Sequence, residues 1–132
     1  MTRDEPDALG LLAIARETLL KELVPLLPAE RRYDALMVAS AIAAAAREIE
    51  AGAAPLAEEL RGLARLLEAT PGEGPPETEL LRLNTDLAGR IRAGAFDERG
   101  PRRAELIRHL KATTVRKLRE TNPKYLAAEG FA

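Results

Sequence analysis

Few side chains in this chain are able to move protons. His109 is the only histidine, and Glu105 stands four residues before it, the spacing at which two side chains share a helix face. Such a pair suits acid–base work when sheltered and is an ordinary ion pair when solvated. Here it is expected on the exposed side of its helix. A serine nucleophile has no turn to sit on, because no Gly-x-Ser-x-Gly occurs. A single histidine excludes His-Glu-x-x-His and the paired Glu-x-x-His of di-metal bundles. With no cysteine, thiolate ligands, disulfides and cysteine nucleophiles are excluded too. Gly72-Glu73-Gly74-Pro75-Pro76 has too few amide donors to cradle phosphate. Acidic pairs such as Glu58-Glu59 and Glu77/Glu79 read as solvated helix surface. No catalytic, cofactor-binding or metal-ligating residue is therefore expected.

Arginine offers more. Between Arg99 and Lys124 nine Lys/Arg stand against Glu105 and Glu120, a net of +7, whereas residues 1–98 carry eleven basic and eighteen acidic groups, a net of −7. Charge asymmetry of this kind bears on association and steering rather than fold. Three partners suit it: the acidic remainder of the same chain, an acidic protein surface, or phosphate in nucleic acid or in a cofactor such as coenzyme A. Nucleic acid is the weakest, since the pI is 5.9 and the basic stretch lacks stacking aromatics. Arg102 and Arg103 sit at a helix N-terminus, where cations are disfavoured; an acceptor nearby is expected, with Asp97 or Glu98 closest. Arg102, Arg103, Arg108, Arg116 and Arg119 form the expected electrostatic contact, with Tyr125 as an anchor beyond Asn122-Pro123.

Four further polar residues fall on faces that should be dry. Arg16 lies among Leu9, Leu12, Leu20 and Leu23. Asn84 lies among Leu80, Leu87, Ala88 and Ile91. Ser40 and Arg47 share a face with Leu36 and Ala43. Unpartnered burial of such groups costs several kcal/mol. One reading makes them register-fixing hydrogen bonds, with arginine stems reaching the rim. The other makes Arg16, Ser40, Arg47 and Asn84 a polar pocket inside the helices, able to take an acyl-CoA or a nucleotide.

The elements that must position these groups all carry the helical period, and no strand alternation is visible. Helices are expected over about 6–24, 29–51, 55–69, 77–93 and 101–122. Pro6 suits a first turn, Pro25 and Pro28 end the first helix, and Gly52 and Gly94 act as stops. The second helix is apolar on several sides, through Val38, Ile42, Ala45 and Ile49 and a run of alanines, which suggests the buried central position. The fifth is expected to turn Leu106, Ile107, Leu110, Thr114 and Leu118 inward. Residues 70–76 read as a mobile loop and 123–132 as a tail. Leu11, Ile14 and Ala15 lie off the main stripe of the first helix, a possible face for homodimerisation. A length of 132 residues with 46% hydrophobic and 31% charged residues fits one globular domain. The expected fold is an all-α, single-domain, up-and-down bundle of about five helices. The segment Met1-Thr2-Arg3-Asp4-Glu5 is unlike a signal peptide, and no apolar run has the length of a membrane span, so the cytoplasm is the expected compartment and no membrane partner is expected.

Several stretches are similar to a small, uncharacterised bacterial family carried as a domain of unknown function. They are Pro6-Asp7-Ala8 leading to Leu23-Val24-Pro25-Leu26-Leu27-Pro28, Val38-Ala39 through Arg47-Glu48-Ile49, Leu83-Asn84 through Ile91-Arg92-Ala93-Gly94, and Leu110 through Leu118 followed by Asn122-Pro123-Lys124-Tyr125-Leu126. Ser40 departs from the family pattern, which has Asn there. The resemblance implies a helical accessory module acting beside aminoglycoside-phosphotransferase-like kinases in acyl- or CoA-linked metabolism. It implies no catalytic residue, and so a protein-binding module with such a kinase as partner, beside the homodimer that the first helix suggests.

Overall fold

The computed structural model describes residues 4–131; Met1, Thr2 and Arg3 of the N-terminal reading lie outside them. The chain is helical, with six α-helices and no strand among the described residues: α1 (Ala8–Thr18), α2 (Ala29–Ala51), α3 (Ala54–Leu67), α4 (Pro76–Arg92), α5 (Pro101–Thr121) and α6 (Pro123–Ala128). The all-α class is as expected. No described helix is long and apolar enough to cross a membrane.

The chain forms two compact units. The first runs to Gly52 and includes Glu120–Asn122; the second holds Ala53–Arg119 and the chain from Pro123 onward.

In the first unit α1 opens at Ala8, two residues after Pro6, because Asp7 caps it: its Oδ1 accepts from the Gly10 amide at 2.9 Å. After Thr18 the helix widens into a π-turn over Leu19–Leu23 and tightens into a 3-10 turn over Val24–Leu26. Pro25 explains the change. It has no N–H to give, and its ring crowds the carbonyl four residues back. The Val24 amide reaches the Leu19 carbonyl instead. A third turn donor is supplied from the side, where Arg32 Nε bonds the Leu27 carbonyl at 3.2 Å.

Helix α2 has the expected limits and ends at Gly52, whose φ of +66° is open only to glycine at little cost. It is not the buried helix. Only Ala35 and Ala39 are buried, where α1 packs on it, while Leu36, Met37, Val38 and Ile49 are about half exposed. The sequence period misleads here because alanine is tolerated both in cores and on helix surfaces. Leu11 and Ile14 of α1 are exposed, as their position off the main stripe implies.

The second unit carries the largest core. Leu63, Ala64, Leu66 and Leu67 of α3 pack with Leu80, Leu83 and Leu87 of α4, joined by Phe96 and Leu106. Leu56, Leu60, Leu63 and Leu67 of α3 and Leu80, Leu83 and Leu87 of α4 are spaced by three and four, one face of each helix. The turns of this α3–α4 hairpin are held by specific groups. Glu68 takes the left-handed C-terminal position of α3 with φ 53°, and the Ala69 amide bonds the Ala64 carbonyl. Arg90, paired with Asp86, also donates to the Leu67 carbonyl at 3.4 Å, satisfying an end of α3 that has no helical donor. Gly94, with φ 87°, closes α4, and the Ala95 amide bonds the Arg90 carbonyl.

The proline- and glycine-rich loop is tethered. Glu79 Oε2 accepts from the Gly72 amide at 2.8 Å and from Arg82 at 2.7 Å. A side chain at Gly72 would lie 2.7 Å from that carboxylate and would push it aside. The Arg82 guanidinium, and after it the Gly72 amide, hold the Glu79 carboxyl below the usual carboxylate range. A lowered folded pKa means the tether contributes fully above the unfolded value of about 4.5 and is lost as pH falls through the lower folded value. Glu79→Ala is expected to release the loop. Amide exchange at Gly72 at neutral pH should speed up in the variant and stay slow in the parent; equal exchange in both would refute the tether.

Beyond Asn122 the expected tail instead forms α6, whose Leu126 is buried. Pro123 supplies a preset first-turn φ, a start signal easily read only as a stop.

Candidate functional site

The residues with chemistry to offer gather where α5 runs along α3 in the second unit. The approach is set by one glycine. Gly62 leaves a slot that the His109 ring fills, and a methyl group there would sit 3.2 Å from Nδ1. His109 is thus half-buried against α3, not paired with Glu105 on the outer surface as its spacing suggests. Ile107 and Leu110, expected inward, are exposed instead, and α5 is anchored by buried Leu106. Burial pushes the His109 pKa below its ordinary 6.5, against an opposing pull from Glu59 and with a smaller contribution from Lys117.

One turn further along, the buried Glu59 carboxylate meets α5. Arg116 donates to Oε2, and Lys117 Nζ lies 3.7 Å from Oε1. The side chain of Glu59 is 6% exposed, so its charge is matched inside the crossing rather than offered to solvent.

Around this crossing opens a groove of about 590 Å³. Arg61 and Arg65 line it from α3, and Arg116 and Arg119 from α5. Gly62, His109 and Ala112 lie between them. Glu58 and Glu59 are its two acids. Glu59 is already matched, so the groove presents surplus positive charge. A smaller hollow beside it adds Glu105 and Arg108.

Of the five arginines expected to meet a partner, three are engaged locally. Arg102 stacks over the Phe96 ring at 5.0 Å. Arg103 bonds the Asp97 main-chain carbonyl at 3.0 Å, so the acceptor is Asp97 as expected, through its backbone rather than its carboxylate. Arg116 is held by Glu59. Arg108 and Arg119 are exposed. Tyr125 is half exposed on α6, where Leu126 is the buried residue. Arg61, Arg65 and Gly62 escaped sequence reasoning, and Glu59 and Glu79, read as solvated helix surface, are both buried. The available signal was Gly62, an isolated glycine inside a leucine-rich helix, which often marks a close approach.

The four polar residues of the expected pocket divide. Arg16 Nε donates to the Ala39 carbonyl at 3.2 Å. Arg47 Nε donates to the Glu120 carbonyl at 2.7 Å, near the end of α5, where carbonyls lack helical donors. Both also line a surface groove along α1 and α2 with Leu12, Leu20 and Ile42. Ser40 is exposed and is not part of that lining. Asn84 belongs to the second unit and is exposed on α4. Arg16 and Arg47 thus each bond a backbone carbonyl and also line the α1–α2 groove. Among the described residues no group of three or more His, Asp or Glu is placed to hold a metal ion.

The depressed His109 pKa has a stability consequence. The neutral ring is favoured in the fold, so between the folded value and 6.5 the unfolded chain binds more protons. Stability is expected to be full above pH 6.5 and to fall as pH drops through that window. Urea titrations of the parent and of His109→Gln will show it: the parent loses more stability than the variant between neutral and mildly acid pH. Parallel curves would mean that the ring carries no such burden.

No curated protein and no solved structure matches the chain. Residues 25–125, which span α2 to α6 and hence both faces of the groove, match the family described as domain of unknown function (DUF6285), and the chain belongs to that family.

Proposed function

We propose that this chain is a non-catalytic accessory module that binds a protein partner through the basic face of α5. The observation that carries this reading is the state of its reactive groups. The lone histidine is wedged against Gly62, and the buried carboxylate is matched by Arg116 and Lys117. What the unit offers to solvent is guanidinium, at Arg108 and Arg119 of α5. Exposed arginine suits recognition of carboxylates on another protein.

The family resemblance supplies the partner: a phosphotransferase-like small-molecule kinase of bacterial acyl- or CoA-linked metabolism, in the cytoplasm. The test is co-purification of the two proteins at low and high salt. Salt-sensitive capture supports the reading, and capture indifferent to salt removes its electrostatic basis. A thermal-shift screen with acyl-CoAs and nucleotides tests the rival small-molecule reading, since a saturating ligand raises the midpoint.

A further inference from the structure

We infer that the α3–α5 groove is the docking site for a carboxylate-rich segment of the partner protein. The inference rests on the partner-binding reading and adds to it a place, a second helix and a ligand chemistry.

Arg61 and Arg65 stand four apart and so share a face of α3. That face lines the same groove as Arg116 and Arg119 of α5. Among the described residues no ion pair satisfies Arg61, Arg65 or Arg119, and the only carboxylate left in the lining is the exposed Glu58. Like charges at this spacing repel. An anionic occupant relieves that repulsion, and the gain exists only in the bound state.

The shape and lining favour a peptide. The groove is open along two helices, with Ala112 and the His109 ring between its arginines. His109 is the one aromatic ring in its lining, and that ring is taken up against Gly62. Guanidinium forks pair two-pronged with side-chain carboxylates spaced along a strand or helix. Arg116, fixed by Glu59, gives the groove one rigid wall, while Arg61, Arg65 and Arg119 are exposed for contact.

The test uses the full chain and a fluorophore-labelled glutamate-rich peptide, followed by anisotropy. Two charge-reversal pairs are compared: Arg61→Glu/Arg65→Glu in the groove, and Arg31→Glu/Arg32→Glu on exposed α2. Circular dichroism checks that each variant is folded. Expected is saturable, salt-weakened binding, reduced about tenfold or more by the groove pair and less than about twofold by the control pair. Equal losses in both pairs, or no saturable binding, would overturn the inference. So would binding of inorganic pyrophosphate that the peptide fails to displace, which would mark a small-oxyanion site instead. Capture of the kinase separates this inference from the reading beneath it. If Arg61→Glu/Arg65→Glu leaves capture intact while Arg108→Glu/Arg119→Glu abolishes it, the groove is wrong and the partner reading stands. If neither pair affects capture, the partner reading itself fails.

Discussion

Leu63→Ala is expected to cost about 3–4 kcal/mol of stability, the largest effect of any single truncation in the chain. Leu63 is fully buried, at 0% exposure, and Leu83 opposite it in the same cluster is at 1%. Removing the isobutyl group takes away its transfer free energy and leaves a cavity that the surrounding leucines only partly fill. A small domain has about 5–15 kcal/mol in all, so the loss should be plain in the denaturant midpoint. The informative control is Val38→Ala on α2. Val38 is 52% exposed, and its truncation should stay within about 0.5 kcal/mol. If Val38→Ala costs as much as Leu63→Ala, α2 and not the α3–α4 hairpin holds the core.

Arg116→Ala is the second large effect, at about 2–3 kcal/mol. It leaves Glu59 inside the α3–α5 crossing with Lys117 at 3.7 Å as its remaining ion-pair partner. Stranding one member of a buried pair typically costs about 3–5 kcal/mol. The lower figure applies here because the Arg116 side chain is 22% exposed and Lys117 stays. Replacing both groups tests the cause. Glu59→Leu/Arg116→Leu removes the stranded charge and should recover to within about 1 kcal/mol of the parent. A double variant as unstable as Arg116→Ala would mean that the arginine acts through its stem and not through the carboxylate. By contrast, Arg119→Ala, on the same face but exposed, should leave stability nearly unchanged.

Local signals in the sequence located the helices well. Ala29–Ala51 is bounded as Pro28 and Gly52 require, and α4 ends where Gly94 permits a left-handed turn. The leucine period placed α3 and α4 as helices, but the main core was expected at α2 and lies between these two instead. Failures occur where a contact is distant in the chain. Arg116 and Glu59 lie 57 residues apart, and nothing in the spacing of either helix says that they meet. A comparable remoteness in the chain hid the place of His109, whose ring lies against Gly62. In α2, alanine satisfied every expectation of a central helix without specifying what would cover it. Arg16, expected on a dry face, is exposed, and Arg47 is partly buried, yet each has a partner. Those partners are backbone carbonyls, which a side-chain pattern does not register.

The most direct test is titration calorimetry of the purified chain against the proposed partner, a phosphotransferase-like kinase, across increasing salt, for the parent and for Arg108→Glu/Arg119→Glu. Binding by the basic face requires an affinity that weakens steadily with salt in the parent and is lost in the charge-reversed pair. Undiminished binding in that pair, with no dependence on salt, would contradict it.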